Sequence, residues 1–129
     1  MAIALSKPYE LVFEERPGYL YARITAPRVK PGMAFSWLAD VADKCADVCC
    51  ERLLVERDIP EPPTSHALVA INQFVGMRDG QPVAFVNPHD GLVGETLRTQ
   101  IEAGATLGAR VAYFEDIPAA EEWLIAELD

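Results

Sequence analysis

After a short apolar start, Met1 to Leu5, the chain opens on two stretches that alternate apolar and polar positions. Tyr9 to Glu15 places Tyr9, Leu11 and Phe13 on one side and Glu10 and Glu14 on the other. Period-two alternation marks a strand with one buried face. Arg16-Pro17-Gly18 carries turn chemistry, and the alternation resumes over Tyr19 to Ala26, so the two runs predict a hairpin. Pro27 and Pro31 bracket a short connector.

The period then lengthens. From Gly32 to Glu51, one stripe holds Ala34, Leu38, Val41, Ala42, Cys45, Val48 and Cys49, and Asp40, Asp43, Lys44, Asp47 and Glu51 fall opposite it. That spacing predicts an amphipathic helix. Trp37 lies off the stripe centre and is expected to be partly exposed or to cover the hairpin. Arg52 to Ile59 reads as a third strand centred on Leu53, Leu54 and Val55. Pro60-Glu61-Pro62-Pro63 fits neither helix nor central strand and predicts a stiff loop. A second helix follows from Thr64 and Ser65 to about Val75, on Ala67, Leu68, Ile71, Phe74 and Val75, and Gly76 and Asp79-Gly80 end it.

Val83 to Val86 is a continuous apolar run, as in a buried central strand. The loop Asn87-Pro88-His89-Asp90-Gly91 leads into a third helix, Leu92 to Leu107, registered on Val93, Leu97, Ile101 and Ala105, with Gly108 closing it. Ala109 to Phe114 is the last strand. Asp116 is placed to cap a final helix that turns Trp123, Leu124 and Leu128 inward. The order β-β-α-β-α-β-α-β-α predicts an α/β fold: a mixed, mostly parallel sheet of about five strands with helices packed on it. No repeat or linker divides the chain, so residues 1–129 are expected to form a single domain.

A formal net charge of −9 repels phosphate backbones and anionic headgroups, which disfavours nucleic acid and membrane surfaces as partners. No run approaches the roughly 18 to 20 apolar residues of a membrane span, and the start lacks the plan of a signal peptide, so a cytoplasmic protein is expected. Three cysteines, Cys45, Cys49 and Cys50, are an odd number in one predicted helix. No disulfide framework is expected, and no further ligand stands at zinc spacing, so Cys45 and Cys49 read as small core-facing residues and no metal or cofactor is assigned.

Two loops carry candidate chemistry. Thr64 and Ser65 stand at a predicted helix N-terminus, where a phosphate would meet free N–H groups and where either residue also serves as an ordinary cap. His89 with Asp90 lies beyond a central strand, where open α/β sheets bind ligands, and His66 is expected on the same edge. The plainer reading has Asn87 and Asp90 shaping a turn, Asp90 capping the third helix, and both histidines solvated. No nucleophile motif, P-loop or G-x-G-x-x-G accompanies them, so no catalytic residue is assigned.

The ending Ala109-Arg110-Val111-Ala112-Tyr113-Phe114, followed by Ile117 to Leu124, and the strand Leu53 to Ile59 leading into a loop and helix, carry a resemblance. With this element order, nearly the whole chain resembles the STAS-like (SpoIIAA-like) superfamily, which joins sulfate transporters with anti-sigma-factor antagonists. The resemblance implies a SpoIIAA-like (STAS) fold and a non-enzymatic regulatory module that binds a protein partner. In the antagonists an Asp-Ser-Ser-Gly motif opens a helix, and a partner kinase phosphorylates one serine. Pro63-Thr64-Ser65-His66 takes that place here, with Pro63 for the Asp and His66 for the Gly. The implied site is a phosphoswitch or partner-docking loop at Thr64, Ser65 and His66. The alternative is a small-molecule or lipid-binding module, which calls for an apolar pocket of ligand size. An enzyme using His66, His89 or Asp90 calls for their convergence in one cleft. A homodimer is left open.

Overall fold

In the computed structural model, which describes residues 8–78, 80–89 and 91–126, the hairpin comes first, as β1 (Glu10–Arg16) and β2 (Tyr19–Thr25). The chain continues as α1 (Met33–Asp47), β3 (Leu53–Asp58), α2 (Ser65–Gly76), β4 (Val83–Val86), α3 (Leu92–Thr106), β5 (Val111–Phe114) and α4 (Ile117–Ala126). The five strands form one sheet in the order β1-β2-β3-β4-β5. β1 runs antiparallel to β2, and every later pairing is parallel, so the sheet is mixed and mostly parallel as expected.

Strand order fixes where the helices go. Parallel crossovers are right-handed almost without exception. Three crossovers that all step the same way therefore carry α1, α2 and α3 to the same face of the sheet. The packing follows: Leu20, Ala22, Ile24, Leu53, Val55, Val83, Phe85 and Val111 point into one core with Trp37, Val41, Ile71, Leu97 and Ile101 of these helices. The alternate residues Tyr19, Tyr21, Leu54, Ala84 and Val86 point the other way and meet Ala120 and Leu124 of α4. α4 folds back over β3, β4 and β5. The same face of β1 and β2 is left polar, with Glu10, Glu14 and Arg23 exposed.

Several sequence expectations are corrected. Trp37 is not partly exposed: at 1% exposure it lies in the core that it shares with Leu20, Ala22 and Ile24 of the hairpin, because the apolar stripe of α1 is wide enough to include it. α1 stops at Asp47, not Glu51. Cys49 then takes a left-handed conformation (φ 55), and its N–H and that of Cys50 donate back to the carbonyls of Ala46 and Cys45 at 3.3 and 2.9 Å. These are the paired bonds of a Schellman stop. They turn Cys49 out to solvent, and Cys45 is joined to Cys50 by a disulfide, so the thiols are not simple core fillers. In α3, Ala105 is exposed and Gly104 takes the position against Val111. Leu124 is buried and Trp123 half-buried, as the last helix required, while Leu128 lies outside the described residues. Asp116 caps α4, its Oδ1 accepting the Ala119 N–H at 2.9 Å.

At Gly94, α3 approaches the loop after β4 closely. A Cβ there would lie 2.9 Å from the His89 carbonyl oxygen and 2.9 Å from the Tyr113 hydroxyl. The carbonyl belongs to backbone that Asn87 helps to fix, so it has little room to give. Gly94→Ala is expected to lower stability by about 1–3 kcal/mol through overpacking, read as a lower midpoint in urea denaturation. An unchanged midpoint would show that the loop of Asn87 to His89 shifts freely.

Candidate functional site

The carboxyl end of β3 supplies two sites, one on each side of the sheet. Successive strand residues point to opposite faces. Glu56 and Asp58 therefore face the polar side, and Arg57 between them faces the helices and is buried.

On the polar side, the β2–β3 register sets Arg23 beside Glu56 and Thr25 beside Asp58. Arg23 Nη2 donates to Asp58 Oδ2 at 2.5 Å, and its Nε stands 3.7 Å from Glu56. Glu56 also accepts the Tyr21 hydroxyl. His89 Nε2 lies 2.8 Å from Asp58 Oδ1. Burial pushes the Asp58 carboxyl up, but the hydrogen bonds from Arg23 and His89 together outweigh it and hold the group below its usual range. An ionised Asp58 only accepts, so the shared proton sits on His89 Nε2. Burial, with the bond to Glu56, raises the Tyr21 phenol. Further along, Arg16 stacks 4.1 Å over the Tyr21 ring and donates to Tyr19, whose hydroxyl reaches Glu121 of α4.

His89 is thus paired with Asp58, a residue the sequence reading did not single out, while Asp90 lies outside the described residues. The signal was present as Glu56-Arg57-Asp58, three charged residues in a row at the end of an apolar strand. The loop is tied down from below: the His89 N–H donates to Asn87 Oδ1 at 3.2 Å, and the buried Asn87 Nδ2 has no partner among the described residues. A carboxylate that orients a histidine is one half of acid–base machinery. Among the described residues no serine, threonine or cysteine is hydrogen-bonded to His89, and no group of three His, Cys, Asp or Glu side chains is placed to hold a metal.

On the helix side, Thr64 caps α2, its hydroxyl accepting the Ala67 N–H at 3.2 Å. Ser65 and His66 follow, both exposed. The loop stands where the N-termini of α1 and α2 converge on a recess of about 10 Å³, lined by Lys30, Gly32, Arg57, Thr64 and His66 among others. Neither helix has an acidic residue in its first turn, and α1 has Gly32 at its N-cap and so no side-chain cap. Arg57 donates to the carbonyls of Ile59 and Glu61 at 3.5 and 3.0 Å and forms no ion pair with a described residue. Burial pulls its guanidinium down to about 10, against the nearby Glu61 carboxylate, which itself accepts the Val29 N–H. Helix ends and a buried cation together make an electropositive spot on an acidic protein. His66 and His89 line different recesses, so the structure does not bring them into one cleft.

No described helix is long and apolar enough to cross a membrane.

The polar network has a pH signature. The Asp58 carboxyl is held below its unfolded value, so its contribution is complete above the ordinary carboxylate range and is lost as pH falls through the lowered value. Asp58→Asn is expected to flatten the acid limb of the stability–pH curve between about pH 5 and 3, by at most about 1 kcal/mol. Urea midpoints at stepped pH measure it, and parallel curves would contradict it.

No family model and no curated protein matches the chain.

Proposed function

We propose that the chain is a non-enzymatic regulatory module of the anti-sigma-factor-antagonist (STAS-like) kind, which docks a protein partner through the loop Thr64-Ser65-His66. One observation carries this reading. Thr64 and His66 line the recess where two helix N-termini meet over the buried Arg57, Ser65 stands exposed between them, and neither first turn holds an acid. A phosphate on Thr64 or Ser65, or an acidic side chain of a partner, meets unpaired N–H groups and positive charge there. The chain carries a net charge of −9, so such a spot discriminates by sign. The −9 charge disfavours nucleic acid as a partner, and the resemblance supports a cytoplasmic protein.

A second reading, a small-molecule or lipid-binding module, is favoured by a different feature. An open groove of about 360 Å³ between α1 and α2 is lined mostly by apolar side chains, including the exposed Phe35 and Met77. Its size is at the lower end for ligand sites.

Native and intact mass spectrometry of the protein from its own host separates the two. The regulatory reading expects phosphate on Thr64 or Ser65, or a co-purifying protein that Ser65→Glu gains or loses while the fold is unchanged. A bound small molecule instead moves the function to the groove. Unmodified protein whose Ser65→Ala and Ser65→Glu forms hold the same partners equally would contradict the proposed switch.

A further inference from the structure

The three cysteines form a site apart from both loops. Cys45 is buried in the last turn of α1, Cys50 is half-buried, and the two are joined with a Cα separation of 5.0 Å. Cys49 is free and exposed. A Schellman stop normally places an apolar contact between the third residue from the helix end and the second residue beyond its cap. Those positions are Cys45 and Cys50, so the backbone bonds alone bring the sulfurs together. A bridge across a separation of only 5 residues restricts the unfolded chain far less than a long-range one does. Structural reinforcement is therefore a weak reason for it.

Arg78, at the end of the neighbouring α2, supplies a chemical reason. Its Nη2 lies 3.1 Å from Cys45 Sγ and 3.8 Å from Cys50 Sγ. Gln81 Oε1 accepts from the same nitrogen at 2.5 Å and fixes its direction. Arg78 makes no ion pair with a described carboxylate, and its buried Nε is unpartnered. The C-terminal end of α1 and the nearby Glu51 disfavour a thiolate; the Arg78 guanidinium, hydrogen-bonded to both sulfurs, stabilises one, and Arg16 and Arg52 line a second recess beside Cys49 and Cys50. An open recess of about 370 Å³ gives solvent access to Cys49, Cys50 and Arg78.

We propose that Cys45 and Cys50 are a reversible thiol–disulfide couple, oxidised by a hydroperoxide and reduced by a dithiol, with Arg78 positioning and charging the pair. In the reduced protein the more accessible Cys50 thiolate attacks a peroxide oxygen. An S–O bond forms, the O–O bond breaks, and the alcohol or water leaves after taking up a proton. The Cys45 thiolate then attacks the Cys50 sulfur, the S–S bond forms, and hydroxide leaves as water. The two thiols lose two electrons and the peroxide gains them. In return, one thiolate of an external dithiol attacks Cys50 sulfur and releases Cys45 as a thiolate beside Arg78. The second thiol resolves the mixed disulfide, leaving the dithiol oxidised and Cys50 reduced.

The test reduces the full chain with dithiothreitol, removes the reductant, adds stoichiometric hydrogen peroxide, then alkylates and maps the cysteines by mass spectrometry. A Cys45–Cys50 bridge with Cys49 still alkylable is expected, and dithiothreitol restores all three thiols. Arg78→Gln is expected to slow bridge formation about tenfold, the effect of one pKa unit on thiolate fraction, with Arg78→Lys keeping most of the rate. Cys49→Ser is expected to oxidise at the wild-type rate. If Arg78→Gln does not fold, ultraviolet thiolate absorbance of the wild type, compared with Cys45→Ser and Cys50→Ser, decides. A thiolate that both variants lose, titrating below about 8.5, supports the couple. A thiolate unaffected by either variant overturns it, as do cysteines left alkylable after peroxide, a dimer linked through Cys49, a bridge that dithiothreitol leaves intact in the folded protein, or a rate indifferent to Arg78.

Discussion

The handedness of parallel crossovers governs most of what this chain presents to its surroundings. A sheet whose strands lie in sequence order has no point where the order reverses. All three crossover helices fall on one face, and no crevice opens between helices leaving in opposite directions, which is where doubly wound sheets bind their ligands. α4 follows the last strand and covers only part of the other face. The uncovered part is made tolerable to water by tyrosines and charged partners: Arg16 over Tyr21, Tyr21 on Glu56, and Arg23 on Asp58. The polar network is thus a consequence of topology, and the geometry of Asp58 and His89 belongs to that solvated surface.

The same constraint separates the two candidate sites. Strand alternation at Glu56-Arg57-Asp58 sends two carboxylates to the polar face and one guanidinium beneath the helices. Buried positive charge without a paired carboxylate is costly unless something compensates it. Two carbonyls do so in part, and Glu61 acts from a distance. What remains is a local positive potential under Thr64 and Ser65, reinforced by two helix ends.

The elements themselves were legible. Hairpin, alternating helices and parallel strands follow from periodicity, proline and glycine, and the Asp116 cap follows from its position before Pro118. The misses have physical causes. Trp37 reads as peripheral on a helical wheel, but a large side chain at the stripe's margin still reaches the core. Cys49 fits the stripe, but the helix ends two residues earlier in a left-handed turn that no glycine announced. His89 meets a carboxylate that no local pattern names, Asp58, 31 residues away across a parallel crossover. Local pattern identifies elements; which charged ends meet depends on strand order, and the sequence carries no short-range signal for that.

In the proposed function, a negative charge placed on the Thr64-Ser65 loop engages both helix ends and Arg57. Amide and Arg side-chain NMR shifts of Ser65→Glu against wild type measure it directly. Changes are expected at α2's own first turn, at Gly32 to Phe35 around the start of α1, and at the Arg57 guanidinium. Changes confined to residues adjoining Ser65, with α1 and Arg57 unmoved, would contradict it.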